Sequence, residues 1–264
     1  MSGLRAEAIT ARLAEAAGVI RGCVTVLESV DSTNRWMAER ARAGDAAHGD
    51  LVVADTQTGG RGRRERAWAS PPGLNVYASM IVDAPPGPAG LLVYAAGLAV
   101  ADAAESIAGL RPFLKWPNDL MIARRKLCGI LCESIGVANG LRVVVGVGLN
   151  VNAVADDFGP ELRASATSLA IETGRTFDRN DAVARLYRAF LSRYNLLAAN
   201  AGGIVADWKI RAGLPGVCYR VRLDGGEMVE GRAGDLAADG ALVLETETGS
   251  RSIHTGDVVS WRVE

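Results

Sequence analysis

Only two histidines, His48 and His254, occur among the 264 residues, and they lie in separate polar segments. Ser-His-Asp hydrolysis and histidine-rich metal sites therefore have little to build on. The four cysteines (Cys23, Cys128, Cys132, Cys218) form no CxxC pair. A chain with a large core needs no covalent staples, so reduced thiols and a cytoplasmic setting are expected. Cys128 and Cys132, four apart on one strand face, read as core thiols. No GxxxxGK[ST] phosphate loop occurs, and neither GRGRRE nor GVGLNV completes GxGxxG, so any nucleotide use must follow another design. Lys and Arg number 29 against 30 Asp and Glu, a formal charge of -1. No general cationic field exists to hold nucleic acid or a membrane. The start, MSGLRAEAITARLAEAAG, is charged too often for a signal peptide, and no apolar run approaches the length of a bilayer. Internal repeats and low-complexity tracts are absent as well.

What is present is enough apolar residue, 49%, to bury a full core, and a length suited to one large domain with a small appendage. Leu4, Ile9, Leu13 and Ala16 or Ala17 predict a lead-in helix stopped at Gly18. VTVLESV reads as a strand. Asp31, Ser32 and Thr33 then offer cap oxygens for a helix running to Gly44. Strands follow at LVVAD and NVYASMIV, and a helix at LLVYAAGLAVADAAESIAG. FLKW, LMIA, LCGILCES and LRVVVGVGLNVN predict strands joined by hairpins, one with its turn at Arg124 and Arg125. Two more helices span DAVARLYRAFLSRYNLLAAN, capped by Asn180, and GIVADWKIRAG. The fold expected is α+β, a mixed sheet flanked by helices. From Gly213 onward short alternating strands between Gly and Asp turns predict a small β-barrel. This divides the chain into residues 1–212 and 213–264.

Four segments can carry chemistry. TQTGGRGRRERAWAS sets Arg61, Arg63, Arg64 and Arg66 among glycines in a long loop without apolar period. Glycines let backbone N–H groups approach an anion, and guanidinium forks grip phosphate or carboxylate. A solvated basic loop or a nucleic-acid contact would use the same residues, although only Trp68 is there to stack on a base. FLKWPNDLMIARRKLCGILCES places Asn118 and Asp119 after Pro117, which is also ordinary turn chemistry. Lys126, beside an apolar run, calls for an anion unless it snorkels to solvent. Asp31-Ser32-Thr33-Asn34 can cap a helix or present small polar groups to a ligand. In GVGLNVN, glycines at alternate strand positions permit another group to lie against the backbone, or mark a bulge.

Taken in order, DSTN, Q-x-x-GRGRR-x-R-x-W, KWPNDL with RKL-x-GIL-x-E, GVGLNVN and the closing barrel resemble the biotin protein ligase family, also called biotin acetyl-CoA-carboxylase ligase, over residues 31 to about 260. The resemblance implies a large domain like class II aminoacyl-tRNA synthetases and an SH3-like small domain. It implies an ATP- and Mg²⁺-dependent enzyme that forms biotinyl-AMP and biotinylates a lysine of a biotin carboxyl carrier protein. By the same likeness Ser32, Thr33, Asn34, Gln57, Gly60, Arg61, Gly62, Arg63, Lys126 and Gly129 would hold biotin. Arg64, Arg66, Trp68, Asn118, Asp119, Lys126 and Asn150 would lie along ATP, and Lys126, Arg63 and Asp119 would be catalytic. No residue is assigned as a metal ligand, since Mg²⁺ would be held mainly by phosphates, near Asp119.

Glu65 stands where the family loop often has glycine, which stiffens the loop and adds a negative charge. About thirty residues precede Asp31, too few for the DNA-binding module of bifunctional members, so a single-function ligase without DNA or membrane partners is expected. A homodimer stays open. Two rivals are a lipoate or octanoate ligase of the same superfamily, which would place a histidine near the glycine-rich stretch, and a nucleic-acid-binding module.

Overall fold

The computed structural model describes residues 3–14, 22–138 and 140–263. The expected Gly18 stop, with Ala16 and Ala17, lies outside them. The first helix, α1, is Ala6–Ala14 and buries Ile9 and Leu13. Then come β1 (Val24–Val30), α2 (Thr33–Ala43), β2 (Leu51–Gln57), β3 (Val76–Asp83), α3 (Leu92–Ala108), β4 (Phe113–Lys115), β5 (Asp119–Ile122), β6 (Arg125–Val137) and β7 (Gly140–Leu149). Helices α4 (Leu169–Thr173), α5 (Arg179–Ala199) and α6 (Ala201–Arg211) lead to β8 (Val217–Arg222), β9 (Met228–Leu236), β10 (Leu242–Thr246), β11 (Gly249–Ile253) and β12 (Asp257–Val263).

Seven strands form one sheet in the order β1-β2-β3-β7-β6-β5-β4, parallel only between β1 and β2. It is the mixed sheet expected. Because side chains alternate across a strand, β3 sends Val76, Ala78, Met80 and Val82 into a large core under α1, α3 and α5, while Ile81 meets Met37, Ala38 and Ala41 of α2 on the other face. The last five strands form a separate antiparallel sheet in the order β11-β10-β9-β8-β12, consistent with the SH3-like unit. Trp116 joins the two: it is 1% exposed, its indole donates to Tyr94 Oη at 3.0 Å, and Tyr94 donates to Gly240 O at 2.5 Å.

Several local expectations are corrected. α2 begins after Ser32, but the Ser32 side chain makes no cap bond. Gln57 Oε1 from β2 accepts from Thr33 N at 2.9 Å in its place, so a tertiary partner overrides the local capping rule. The β5–β6 turn falls on Ala123 and Arg124, both at positive φ, and Arg125 is already in the strand. The stretch Ala89–Ala108 is, by length and composition alone, apolar enough to cross a membrane, but two-thirds of it is buried in the fold, as a central core helix must be.

The cap of α5 is Asp178 rather than Asn180, since Asp178 Oδ1 accepts from Asn180 N at 2.9 Å and Oδ2 meets Arg12 at 2.5 Å. Burial pulls the Asp178 carboxyl upward, but these hydrogen bonds and Arg12 outweigh it, and its pKa falls below the ordinary 3.8. A depressed carboxyl stabilises the fold above the unfolded value and loses that effect as pH drops through the folded one. Asp178→Ala is expected to cost about 1 kcal/mol in urea unfolding at pH 7. The gap from wild type should close as pH falls below 3.8.

Candidate active site

The sheet face beneath α2 is short of side chains where it matters. Val145 and Val147 of β7 enter the core, so Gly146 and Gly148 point the other way. Gly148 pairs with Gly129 of β6 and Tyr77 of β3; Gly146 pairs with Leu131 and Ser79. A Cβ at Gly146 would lie 2.1 Å from Asn34 Oδ1, and one at Gly148 2.5 Å from the Trp68 indole. One at Gly129 would lie 3.0 Å from Trp68 and 3.3 Å from Lys126 Nζ. The bare backbone is what admits the first turn of α2 and the loop that follows β2, so the strand runs two residues further than the loop expected from Thr56.

Between them opens a cleft of about 270 Å³. Ser32, Thr33, Asn34, Gln57, Arg61, Gly62, Arg63, Arg66, Trp68, Asn118, Asp119, Lys126, Gly129 and Asn150 all line it. Along the Gly146 row the groups are neutral. Thr33 N and Oγ1 both approach Gln57 Oε1, at 2.9 and 3.1 Å, and Gln57 Nε2 donates to Ser70 Oγ at 3.0 Å. Ser79, wholly buried, has its Oγ 2.8 Å from Thr33 Oγ1 and 2.6 Å from Asn34 Oδ1.

Two residues along the strands, the Gly148 row is cationic. Lys126 Nζ lies 2.6 Å from Asp119 Oδ1 and 5.3 Å above the Trp68 ring. Lys115 reaches the other Asp119 oxygen at 3.6 Å, so one carboxylate joins two ammonium groups. Burial lowers the Lys115 pKa, with Asp119 only partly opposing it. Trp68 Nε1 and Arg61 Nε are buried without a hydrogen-bond partner, and the Trp68 nitrogen lies over Gly148. Asn118 Nδ2 donates to Ile130 O at 2.6 Å, and Asn150 Nδ2 to Thr167 O at 2.9 Å, pinning the β4–β5 turn and the 165–168 segment against Lys126.

The arginine loop is tied to the small unit. Asp257 Oδ2 meets Arg64 at 2.9 Å and Arg222 at 3.5 Å, and its Oδ1 meets Arg66 at 2.8 Å; Arg64 also pairs with Asp224. Arg63 points at Gly256 O and Thr255 Oγ1, at 3.4 and 3.5 Å. Its pKa is lowered by burial and then by Arg64, so it is a cation that gains from an incoming anion. Burial raises the Asp257 carboxyl, but Arg66, Arg64 and Arg222 outweigh that and keep it ionised below its ordinary range. Asp257→Asn is expected to speed tryptic cleavage of the unliganded loop at residues 61–66 about tenfold, through loss of charge-assisted bonds.

Two expected residues fall outside the cleft lining. Gly60 is packed under Trp68, whose N donates to Gly60 O at 2.9 Å, and Arg64 turns to the small unit. Arg64 and Glu65 both adopt left-handed backbone, φ 55° and 57°, the region that a glycine at position 65 would enter freely. Sequence reasoning gave no site role to Lys115, Ser79, Glu133, Asp257 or the 158–166 segment. Among the described residues no group of three or more His, Cys, Asp or Glu could form a metal cage. Cys128 is buried in the core, and burial pushes its thiol well up; burial also pushes the Cys132 thiol up, to about 12.

Two family models match the chain: the biotin/lipoate A/B protein ligase family over residues 26–150, and the biotin protein ligase C-terminal domain over 220–261. The biotin acetyl-CoA-carboxylase ligase of Mycobacterium tuberculosis is 36% identical over 90% of this chain and 88% of its own length. The bifunctional ligase/repressor BirA of Bacillus subtilis is 34% identical over 90% of this chain and 74% of its own. The biotin protein ligase of Aquifex aeolicus, solved with biotin and ATP, superposes with a TM-score of 0.79 at 26% identity, covering 91% of this chain and 99% of that one. From its glycine-floored cleft to its C-terminal strands, this chain belongs to the biotin protein ligase family.

Proposed function

We propose that this cleft joins biotin to ATP as biotinyl-5'-AMP and then passes the biotinyl group to a lysine of a biotin carboxyl carrier protein. The observation that carries the reading is the two-row floor. Ser32, Thr33 and Gln57 offer neutral hydrogen bonds suited to a urea ring, with Lys126 and the arginines about two strand residues further along. That is the layout of a molecule with a neutral ring at one end and a carboxylate at the other.

In the first step a biotin carboxylate oxygen attacks the α-phosphorus of MgATP and pyrophosphate leaves. Two anions must approach, so Lys126, Arg63 and Arg66 lower the barrier by neutralising charge where it develops. Asp119, held between Lys115 and Lys126, aims the Lys126 ammonium. Trp68 and Asn150 flank the nucleotide side, and Mg²⁺ enters with the phosphates as part of the substrate. The loop then shields the mixed anhydride from water. In the second step the neutral acceptor amine attacks the biotinyl carbonyl, AMP leaves, and Asp119 or solvent takes the proton.

Mass spectrometry of the protein mixed with biotin, ATP and Mg²⁺ tests this. Biotinyl-AMP is expected without a carrier, and one biotinylated carrier lysine when the carrier domain is added. Adenylate formed from lipoate and none from biotin would shift the assignment to the lipoate branch.

A further inference from the structure

Glu133 stands behind the cleft and reaches it only through two other side chains. On β6 it follows Gly129 and Leu131 at alternate positions, which puts all three on the cleft face, yet only the first two line the cavity. Its Oε2 accepts from Asn34 Nδ2 at 2.7 Å, and its Oε1 faces Arg61 Nη2 at 3.4 Å. The other carboxylate near Arg61, that of Glu65, is 3.5 Å away and 81% exposed, so Glu133 is the firmer anchor.

The bonding of Asn34 shows what this anchor does. An amide has two N–H donors and one oxygen. Asn34 spends its donors on Glu133 and on Leu131 O, at 3.2 Å, and its oxygen accepts from Ser79 at 2.6 Å. The side chain is 4% exposed and lies against Gly146. Asn34 therefore shapes the wall of the cleft, with little capacity left to hold a ligand. A carboxylate can only accept, so Glu133, with the Leu131 carbonyl beside it, holds the NH₂ end of the Asn34 amide; a glutamine at 133 would lose the charge that strengthens this bond and the pairing with Arg61.

We propose that Glu133 is a positioning residue for the biotin-ring pocket. It ties Asn34, in the first turn of α2, to Arg61, at the entry of the arginine loop, so that both meet the substrate as one preorganised unit. The inference rests on the ligase reading above. In Glu133→Gln the KM for biotin in adenylate formation is expected to rise about tenfold, the loss of one charge-assisted hydrogen-bond pair. The kcat and the KM for ATP should stay within about twofold, a split that general loosening of the fold would not give. Because Glu133 acts partly through Arg61, Glu133→Gln combined with Arg61→Ala should raise the biotin KM by less than the product of the two single effects. If Glu133→Gln folds poorly, Glu133→Asp, which keeps the charge on a shorter arm, goes through the same comparison. An unchanged biotin KM, or two effects that multiply independently, overturns the positioning role while leaving the ligase intact. A wild-type protein that forms no biotinyl-AMP overturns the ligase reading, and this inference with it.

Discussion

Lys126→Ala is expected to lower biotinyl-AMP formation about 100- to 1,000-fold, the usual cost of removing one preorganised charge from a site where negative charge develops. Lys126 lies 2.6 Å from Asp119 and lines the cleft beside Gly129 and Gly148, whose bare backbone seats the Trp68 ring. Its ammonium and that of Lys115 share the Asp119 carboxylate on the cleft lining, whereas Arg64 and Arg66 are engaged by Asp257 in the unliganded protein. Since the charge acts on the transition state, kcat should fall with little change in either KM. The fold should hardly notice, because the side chain is 34% exposed and its stem fills no core space. Rapid-quench measurement of biotinyl-AMP, beside a thermal melt, checks both halves. Lys126→Arg keeps the charge but spreads it over a planar fork, and recovery of only part of the rate is expected.

Gly146→Ala is the second large effect. The added methyl group would sit 2.1 Å from Asn34 Oδ1, closer than any side chain tolerates. Asn34 cannot simply swing aside, because Glu133, Leu131 and Ser79 hold it from three directions. Overpacking of this kind costs about 1–3 kcal/mol, and the strain falls on the wall of the biotin-ring pocket. Biotin affinity by calorimetry is expected to drop roughly 10- to 100-fold, with nucleotide affinity much less affected. The same change at Gly136, which has open space around it, should do nothing comparable.

These glycines show what could be read ahead of the structure. Gly146 and Gly148, alternating with valines, announce a strand with one bare face, and the bare face is where Asn34 and Trp68 lie. Lys126 beside its apolar run asks for an anion, and Asp119, seven residues earlier and across the β5–β6 pairing, provides it. That the large sheet is mixed and flanked by helices was legible from periodicity of the same kind, but its strand order, with β7 beside β3, is a tertiary fact that period two does not contain. Chemistry imposed from far along the chain was not legible. Asp257 reaches the arginine loop from almost 200 residues away, and nothing near it signals that partner. Gln57 replaces the local cap of α2 for the same reason. Lys115 does end β4, as its place in FLKW suggests, but its burial and its contact with Asp119 are set by tertiary packing. Glu133 could have been found, since period two places it on the face of Gly129 and Leu131, but only its contact with Asn34 gives that face a meaning.

A crystal structure of the complex with a non-hydrolysable biotinyl-AMP analogue bears most directly on the whole account. The acyl-phosphate linkage is expected within about 3 Å of Lys126 Nζ, the spacing of a charge-assisted hydrogen bond. The ring should lie on the Gly146 row by Thr33 and Gln57, with Arg66 turned from Asp257 to the phosphate. An analogue bound with its linkage away from Lys126 and the arginine loop would contradict the account.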